Sequence, residues 1–337
     1  MEIDELTERL MRFCREMLRD PQATVSNVAK TEGHAGFSYF FEVTSGGQTQ
    51  RCWLRLPPPG VKIEGTADVL RQACAIEALA GTAVPHAPVL WSGDDPQWFE
   101  SPYFVTPRLE GDIVRPFVGA WWTELPADTR RWMAEQAMTA LAGIHQVEDW
   151  RRKTDYLGPP LPLGFDVLRW DRFYEKTAEP ELLSLFPKVR EKLLERMPKE
   201  PRLGIYHGDY QWGNLFYGGD GRLLAVIDWE LVGIGATLND LGWILTFSDT
   251  RAWAIEGLLA TGLLPPPEEL QAMYVNAYGS DPGDVAWFQA LAAFKFATIT
   301  GFNLMLHRRG KRDDPTWELV KDSMPTLMAY ALECLGG

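Results

Sequence analysis

Two short apolar segments, each closing on polar residues, constrain the fold of this chain more than any other feature. The first, GIYHGDYQWGNLFY, carries His207, Asp209 and Asn214, and the second, LLAVIDWE, carries Asp228 after an apolar run. Both are β-like and lie between helical patterns. A short hairpin joining them would bring the side chains of Asp209, Asn214 and Asp228 to one edge of a cleft.

The spacing inside this set is that of a kinase catalytic loop. Asn214 lies five residues after Asp209, as in H-R-D-x-x-x-x-N. In phosphoryl transfer one carboxylate accepts a hydroxyl proton, while an amide oxygen and a second carboxylate hold Mg²⁺ against the phosphates. The ordered set, with Asp228 following an apolar strand, therefore favours this chemistry.

A metal-dependent hydrolase is the alternative interpretation of His207 and Asp209. The sequence offers no further His or Cys close by to complete a zinc site. We therefore interpret His207 as a structural residue that fixes the backbone of the loop.

The chain has 337 residues, which exceeds the usual size of one hydrophobic core. Its residue pattern changes from strand-rich to helical along this length. Amphipathic helices are predicted over 3–19 and 66–80, with strand-like pieces around them. From Thr123 onward most segments have helical periodicity. We predict an α+β fold with a small β-rich lobe at 1–107 and a larger helical lobe at 108–337.

Composition indicates a cytoplasmic protein. The four cysteines show no C-x-x-C spacing and are expected to be reduced, and the N-terminus does not resemble a secretory signal. The net charge of −13 disfavours nucleic acid as a partner. The apolar run that contains Lys295 is interrupted by polar residues, so no membrane span is expected.

The stretch HGDYQWGNLFYGGDGRLLAVIDWELVGIGATLNDLGWIL resembles the aminoglycoside-phosphotransferase and choline-kinase-like family, with its HGDxxxxN and xIDWE segments. The pieces CWLRLPPPG, GTAVPHAPVL, SPYFVTPRLEG and DWELVGIG resemble, more narrowly, phosphotransferase domains fused to some acyl-CoA dehydrogenases and their free-standing bacterial relatives. The resemblance implies a bilobal, protein-kinase-like fold with ATP between the lobes. It also implies that Asp209 is the catalytic base and that Asn214 and Asp228 are magnesium ligands.

Nucleotide contacts are expected from the small lobe. Arg55 stands where kinases place the strand Lys that contacts phosphates. Gly33 and Ser38 stand where a glycine-rich loop would cover the phosphates, although the segment is no G-x-G-x-x-G. In the linker that crosses behind adenine by resemblance, Pro107 offers a carbonyl and Leu109 an N–H.

The helix partner of Arg55 departs from the family pattern. The position where the family has Glu is Gln72, which carries no charge. Glu64, Asp68 and Glu77 remain as alternative partners, and the sequence does not choose among them.

The acceptor is expected to be a small molecule. Gly208 replaces the Arg with which protein kinases read a phosphorylated activation loop. Only 12 residues separate Asp228 from Asp240, which leaves no room for a long peptide-docking segment. Asp240 is interpreted as structural, capping a helix or bonding the loop backbone, and Glu230 as a residue that could orient the acceptor hydroxyl.

We therefore expect an ATP- and Mg²⁺-dependent phosphotransferase that acts on a hydroxyl group of a small molecule. An aminoglycoside-like acceptor would suit the acidic protein, and a hydroxyacyl-type acceptor would suit the resemblance and the many aromatic residues of the helical lobe. These include six tryptophans: Trp121, Trp122, Trp150, Trp170, Trp243 and Trp287. A nucleotide-binding pseudokinase with a regulatory role is the alternative from another class.

Overall fold

The structure is a computed structural model that describes residues 2–31, 37–115, 119–254 and 260–336. Its helices are α1 Ile3–Met17, α2 Val69–Ala78, α3 Pro96–Phe99, α4 Ala127–His145, α5 Trp150–Lys153, α6 Leu163–Leu168, α7 Asp171–Tyr174, α8 Phe186–Glu195, α9 Leu238–Ser248, α10 Pro267–Tyr278, α11 Val285–Arg308, α12 Thr316–Val320 and α13 Ser323–Cys334. Its strands are β1 Thr24–Lys30, β2 Phe37–Ser45, β3 Gln48–Leu56, β4 Trp91–Gly93, β5 Tyr103–Pro107, β6 Asp112–Ile113, β7 Leu203–Tyr206, β8 Leu215–Tyr217, β9 Leu223–Val226 and β10 Gly233–Ala236. The strand-rich first part and the helical remainder confirm the predicted α+β class.

The small lobe is built on an antiparallel sheet with the strand order β1-β2-β3-β5-β4. The turn between β2 and β3 consists of Gly46 and Gly47, whose φ angles are +56° and +79°. Two positive φ values suit a two-residue hairpin, so glycine is required by this turn. Helix α1 packs on the sheet, and Phe13 lies at the centre of a buried aromatic cluster.

The large lobe is organised around the long helix α11, which packs against α9 and α13. A Cβ at Gly242 of α9 would lie 2.5 Å from the carbonyl oxygen of Phe288, so the absence of a side chain there permits the close approach of α9 and α11. Within the described residues, α11 is the one helix long and apolar enough to cross a membrane by length and composition. Since 72% of its most apolar window is buried in the protein, it has the character of a core helix.

Helix α2 follows the small-lobe sheet in sequence but packs into the core of the large lobe. Its apolar residues Val69, Ala73 and Ile76 belong to the same buried cluster as α4 and α11. The side chain of Arg71 donates to the carbonyls of Leu157 and Val232, at 3.1 Å in each case. The helix is therefore fixed to the large lobe, and the boundary predicted at residue 107 stays a prediction.

Two small sheets carry the polar motifs. Strands β8 and β9 form a hairpin in which Leu215 pairs with Val226, and β6 joins it at the outer edge of β8. Strands β7 and β10 form a separate antiparallel pair. The hairpin places Asn214 and Asp228, which flank its strands, at the same end.

Candidate active site

Asp240 anchors the loop that follows β7. Its fully buried carboxylate accepts hydrogen bonds from the backbone N–H groups of His207, at 2.6 Å, and Gly208, at 2.8 Å. His145 lies 3.5 Å away through Nε2. A buried carboxylate must be satisfied by such donors, so Asp240 fixes the backbone on which the next residues depend.

Gly208 has a geometry that only glycine can adopt here. Its φ is +90°, and a Cβ would lie 2.3 Å from the carbonyl oxygen of Leu231. The close approach of the loop to the segment after Asp228 therefore excludes an Arg at this position. This explains in steric terms why the kinase H-R-D pattern is H-G-D in this chain.

His207 links the two motif segments. Its Nε2–H donates to the carbonyl of Ile227 at 2.9 Å, and its Nδ1 accepts from the N–H of Asp209 at 3.3 Å. The ring is completely buried, with its centroid 4.6 Å from that of Trp229. This arrangement suits a structural histidine whose two ring nitrogens are both engaged with the backbone.

The Asp209 carboxylate is held by two side-chain donors. Oδ1 accepts from the indole Nε1–H of Trp243, and Oδ2 accepts from Nδ2 of Asn214, both at 2.8 Å. Burial raises the pKa of Asp209 to about 6, the negative charge of Asp228 adds to the rise, and the two donors lower the pKa. A restrained carboxylate with a pKa near the physiological range is suited to proton transfer.

Asn214 and Asp228 lie at the end of the β8–β9 hairpin. The carbonyl of Asn214 accepts from the N–H of Ile227 at 2.9 Å, which brings Asp228 next to it. Because Asn214 Nδ2 donates to Asp209, the amide oxygen Oδ1 is left without a donor among the described residues. Asp228 has a φ of +61°, a left-handed conformation that Asp and Asn adopt more readily than other residues with a side chain.

The pair fits a magnesium ion better than a zinc ion. One carboxylate and one amide oxygen are hard ligands, and Mg²⁺ is commonly held by one or two such groups plus substrate phosphates and water. Among the described residues no group of three or more His, Cys, Asp or Glu could hold a metal. A site that the protein ligands leave incomplete suits a cation that arrives with a nucleotide.

A cavity of about 460 Å³ lies between the lobes. Arg55 and Phe104 of the small lobe, and Phe216 and Asp228 of the β8–β9 region, line it from opposite sides. Its walls are mainly apolar away from these charged groups, as expected for a site that buries a planar base and leaves phosphates at one end.

Arg55 pairs with a residue that the sequence did not suggest as its partner. It lies opposite Ser38 in the β2–β3 register, donates from Nη1 to Ser38 Oγ at 3.1 Å, and has Nη2 3.4 Å from Glu230 Oε2. Burial lowers the pKa of Arg55, while Asp228 and Glu230 raise it. Burial, with Asp228, raises the pKa of Glu230 to about 7.

The three carboxylates considered as partners of Arg55 are engaged elsewhere, which corrects that expectation. Glu64 pairs with Lys62, Asp68 caps α2 by accepting from the N–H of Leu70, and Glu77 accepts from Ser92. Each lies before, within or at the start of α2, and none reaches Arg55. The observed contact of Glu230 is Arg55; its orientation of an acceptor stays a prediction.

The linker after β5 borders the cavity. The N–H of Arg108 donates to the carbonyl of Arg51 in β3, and the carbonyl of Val105 accepts from Leu90 on the opposite side. Because backbone groups alternate along a strand, the carbonyl of Pro107, the last residue of β5, is directed away from β3. Pro107 and Leu109 both line the cavity, and the contact of the Leu109 N–H with a base stays a prediction.

Part of the expected phosphate loop lies outside the described residues. Gly33, together with His34 and Gly36, belongs to this part, so its assignment stays a prediction. Ser38 is described, and its buried hydroxyl accepts from Arg55.

An aromatic cluster, defined by Trp243, Phe247, Trp253, Phe296 and Trp317, extends from Asp209. Phe247 lies 5.3 Å from Trp243 and 4.9 Å from Phe296 between ring centroids, and Trp253 lies 5.2 Å from Phe296. All except Trp243 are half-buried.

Of the six tryptophans considered from sequence, only Trp243 contacts a predicted catalytic residue; the others pack against or within the large-lobe core. Trp243 and Phe247 lie at helical spacing in the sequence, and this spacing is the feature from which the rest of the cluster could have been predicted.

Comparison with known proteins adds a family. The model of the phosphotransferase enzyme family matches residues 32–288, more than half of the chain. The Probable acyl-CoA dehydrogenase IBR3 of Arabidopsis thaliana is 25% identical over 296 residues. That match covers 79% of this chain but only 34% of the relative, so the chain spans about a third of that relative's length.

Two solved structures share the fold. A crystal structure of a provisionally assigned aminoglycoside phosphotransferase from Ralstonia eutropha has a TM-score of 0.78 at 21% identity and covers 97% of this chain and 98% of its own. A mutant of aminoglycoside phosphotransferase APH(4)-Ia, in a ternary complex with ADP and hygromycin B, has a TM-score of 0.57 at 15% identity and covers 97% and 99%. These likenesses confirm the predicted bilobal kinase-like fold. Together with the match to the family model, they establish that this chain belongs to the phosphotransferase enzyme family.

Proposed function

We propose that the protein is an ATP- and Mg²⁺-dependent phosphotransferase that phosphorylates a hydroxyl group of a small molecule. The observation that carries this proposal is the Asp209 carboxylate, which Trp243 and Asn214 hold beside Asp228, a residue that lines the cavity between the lobes. This is an arrangement of base and metal ligands that phosphoryl transfer requires.

Several features support ATP with a divalent cation as the phosphoryl donor. The cavity offers a carbonyl and an N–H at Pro107 and Leu109 for a base, and the guanidinium of Arg55 for phosphates. Asn214 Oδ1 and the Asp228 carboxylate would hold the cation. The structural neighbour APH(4)-Ia, with ADP in its complex, agrees with this assignment.

The residues of the chain would divide the reaction between them. Asp209 accepts the proton of the acceptor hydroxyl while the hydroxyl oxygen forms its bond to the γ-phosphorus and the bond to the β–γ bridging oxygen breaks. Trp243 and Asn214 hold the carboxylate oxygens in place for that proton. Arg55 binds the phosphate chain, and bound Mg²⁺ supplies charge neutralisation on the phosphoryl oxygens.

For the acceptor, the aromatic cluster favours a hydroxylated compound with an apolar or planar part, such as a hydroxyacyl-type molecule. The half-buried rings that extend from Trp243, the donor to Asp209, would cover such a part. The relationship to an acyl-CoA dehydrogenase relative points the same way. Binding of an aminoglycoside-like polycation would instead depend on the negative charge of the protein, which has a net value of −13. The five residues that define the aromatic cluster carry no charge.

Replacing Asp209 by Asn tests the role of the carboxylate with little change in shape. We expect Asp209→Asn to lower kcat for phosphoryl transfer by at least about a hundredfold, the lower end of a general base contribution, and to leave ATP affinity within about threefold. ADP release would be measured with 3-hydroxydecanoic acid, 3-hydroxydecanoyl-CoA and kanamycin as acceptors, and ATP affinity by calorimetry.

Asp94→Asn is the matched control, because Asp94 is an exposed carboxylate of the small lobe. It should keep wild-type kinetics. Turnover by Asp209→Asn at near wild-type rates would contradict the proposed role. A wild-type protein that binds ATP with Mg²⁺ but phosphorylates no acceptor in a broad hydroxyl panel would favour the pseudokinase instead.

A further inference from the structure

Gln72 is a buried polar side chain with an unused donor. It lies on α2, is 3% exposed, and its Nε2 has no hydrogen-bond partner among the described residues. An unpaired buried amide donor destabilises the folded protein, so we expect such a group either to be paired by a ligand or to be replaced in the course of evolution.

The surroundings of Gln72 indicate which ligand would relieve it. Gln72, Arg55 and Asp228 all line the cavity between the lobes. Arg55 also has an unpartnered buried nitrogen, Nε, among the described residues. Two unused donors in the cavity that the predicted metal ligand Asp228 also lines form an environment for an anion with several acceptor oxygens.

The position of α2 does not depend on a charge at residue 72. Arg71 donates to the carbonyls of Leu157 and Val232, and Asp68 caps the first turn. In protein kinases a Glu of the corresponding helix pairs with the strand Lys, and this pair must form for activity. Here the carboxylate next to Arg55 comes from Glu230, which lies two residues after Asp228.

We propose that Gln72 binds the nucleotide's phosphate chain, donating from Nε2–H to a phosphate oxygen, while Glu230 holds Arg55 in place of a helix carboxylate. This inference rests on the proposed function, since it concerns the same nucleotide. A neutral amide is the appropriate group at this position. A Glu there would place a further negative charge near Asp228 and Glu230 and would repel the phosphates.

The test compares ligands with and without phosphates. The probe is ATP carrying a fluorescent N-methylanthraniloyl group on its ribose, titrated with Mg²⁺, and adenosine is the competitor that lacks phosphates. Gln72→Met, which keeps the volume and removes the donor, should weaken binding of the ATP probe about tenfold. Gln72→Glu should weaken it further, and neither variant should change the affinity for adenosine by more than twofold.

A second readout separates this role from a structural one. Because Gln72→Met removes an unpaired buried donor, the variant without ligand should melt at a higher temperature than the wild type. The stabilisation on adding Mg²⁺ and ATP should be smaller than in the wild type. Gln48→Met, at an exposed position of β3, is the control and should change neither quantity.

Unchanged affinity of both Gln72 variants for the ATP probe would overturn the inference. Equal losses for the probe and for adenosine would also overturn it, since they would show a general disturbance of the cavity. Tighter binding by Gln72→Glu would show that a helix carboxylate pairs with Arg55 after all. A wild-type protein that binds neither ligand would contradict the proposed function itself, and this inference with it.

Discussion

At the scale of the residue, Asp209 combines two opposing influences on one carboxylate. Burial and the neighbouring charge of Asp228 raise its pKa to about 6, and the hydrogen bonds from Trp243 and Asn214 lower the pKa. Without these donors the group would be a weaker candidate for a base, because more of it would be protonated near neutral pH. The donors therefore set the pH range in which Asp209 can accept a proton.

Removing the Trp243 donor should shift that range to higher pH. In Trp243→Phe the carboxylate loses one hydrogen bond, so the pKa of Asp209 rises and the acidic limb of kcat/KM moves to higher pH, by about one unit for a hydrogen bond to a charged group. Activity should fall most below pH 7 and recover at high pH. The measurement is the pH profile of kcat/KM for ADP release.

Trp132→Phe serves as the control for this substitution, since Trp132 of α4 is 41% exposed and should leave the profile unchanged. An acidic limb at the wild-type position in Trp243→Phe would contradict the assignment of Asp209 as the titrating base.

At the scale of the element, α2 is fixed by Arg71 to the segment that follows Asp228. Arg71→Met should lower the free energy of unfolding by about 1–2 kcal/mol, because two carbonyls lose a charged donor. Urea unfolding measures this, with Arg222→Met, at an exposed turn residue, as the control. A loss no larger than that of the control would mean that apolar packing alone positions the helix.

Hydrophobic periodicity predicted where the helices lie better than it predicted which of their residues other elements cover. The predicted helix 3–19 is observed as Ile3–Met17, and 66–80 is observed as Val69–Ala78, which begins at the cap provided by Asp68. Trp132 lies at helical spacing among the apolar residues of α4 and is nevertheless 41% exposed. An apolar residue at helical spacing shows where a helix lies, but the elements that cover it are set by distant sequence.

The candidate site could be predicted where its residues are close in sequence. The five-residue spacing of Asp209 and Asn214 and the hairpin to Asp228 are local, and the structure brings these residues together. The contact of Arg55 with Glu230 joins residues 175 positions apart, so no local pattern could indicate it. The same holds for Trp243, whose hydrogen bond to Asp209 depends on how α9 packs behind the loop.

At the scale of the whole molecule, two hydrophobic cores meet around one cavity. The small core joins α1 to the five-stranded sheet, and the large core includes α2 and Phe104 of the sheet's own strand β5. Elements of both lobes therefore line the cavity while α2 stays fixed to the large lobe. This arrangement brings Arg55 and Glu230 together beside Asp228, and in the proposed complex the sheet would cover the bound base.

The central claim is that Asn214 and Asp228 form a divalent-cation site that a nucleotide completes. The most direct measurement is the binding of Mn²⁺, detected by electron paramagnetic resonance of the free ion, with and without AMP-PNP. Wild-type protein should bind Mn²⁺ much more tightly when AMP-PNP is present, and Asp228→Asn, which tolerates the left-handed backbone, should lose at least about tenfold of that affinity. Asp94→Asn should behave as wild type, and an Asp228→Asn protein that binds Mn²⁺ with AMP-PNP as tightly as the wild type would contradict the claim.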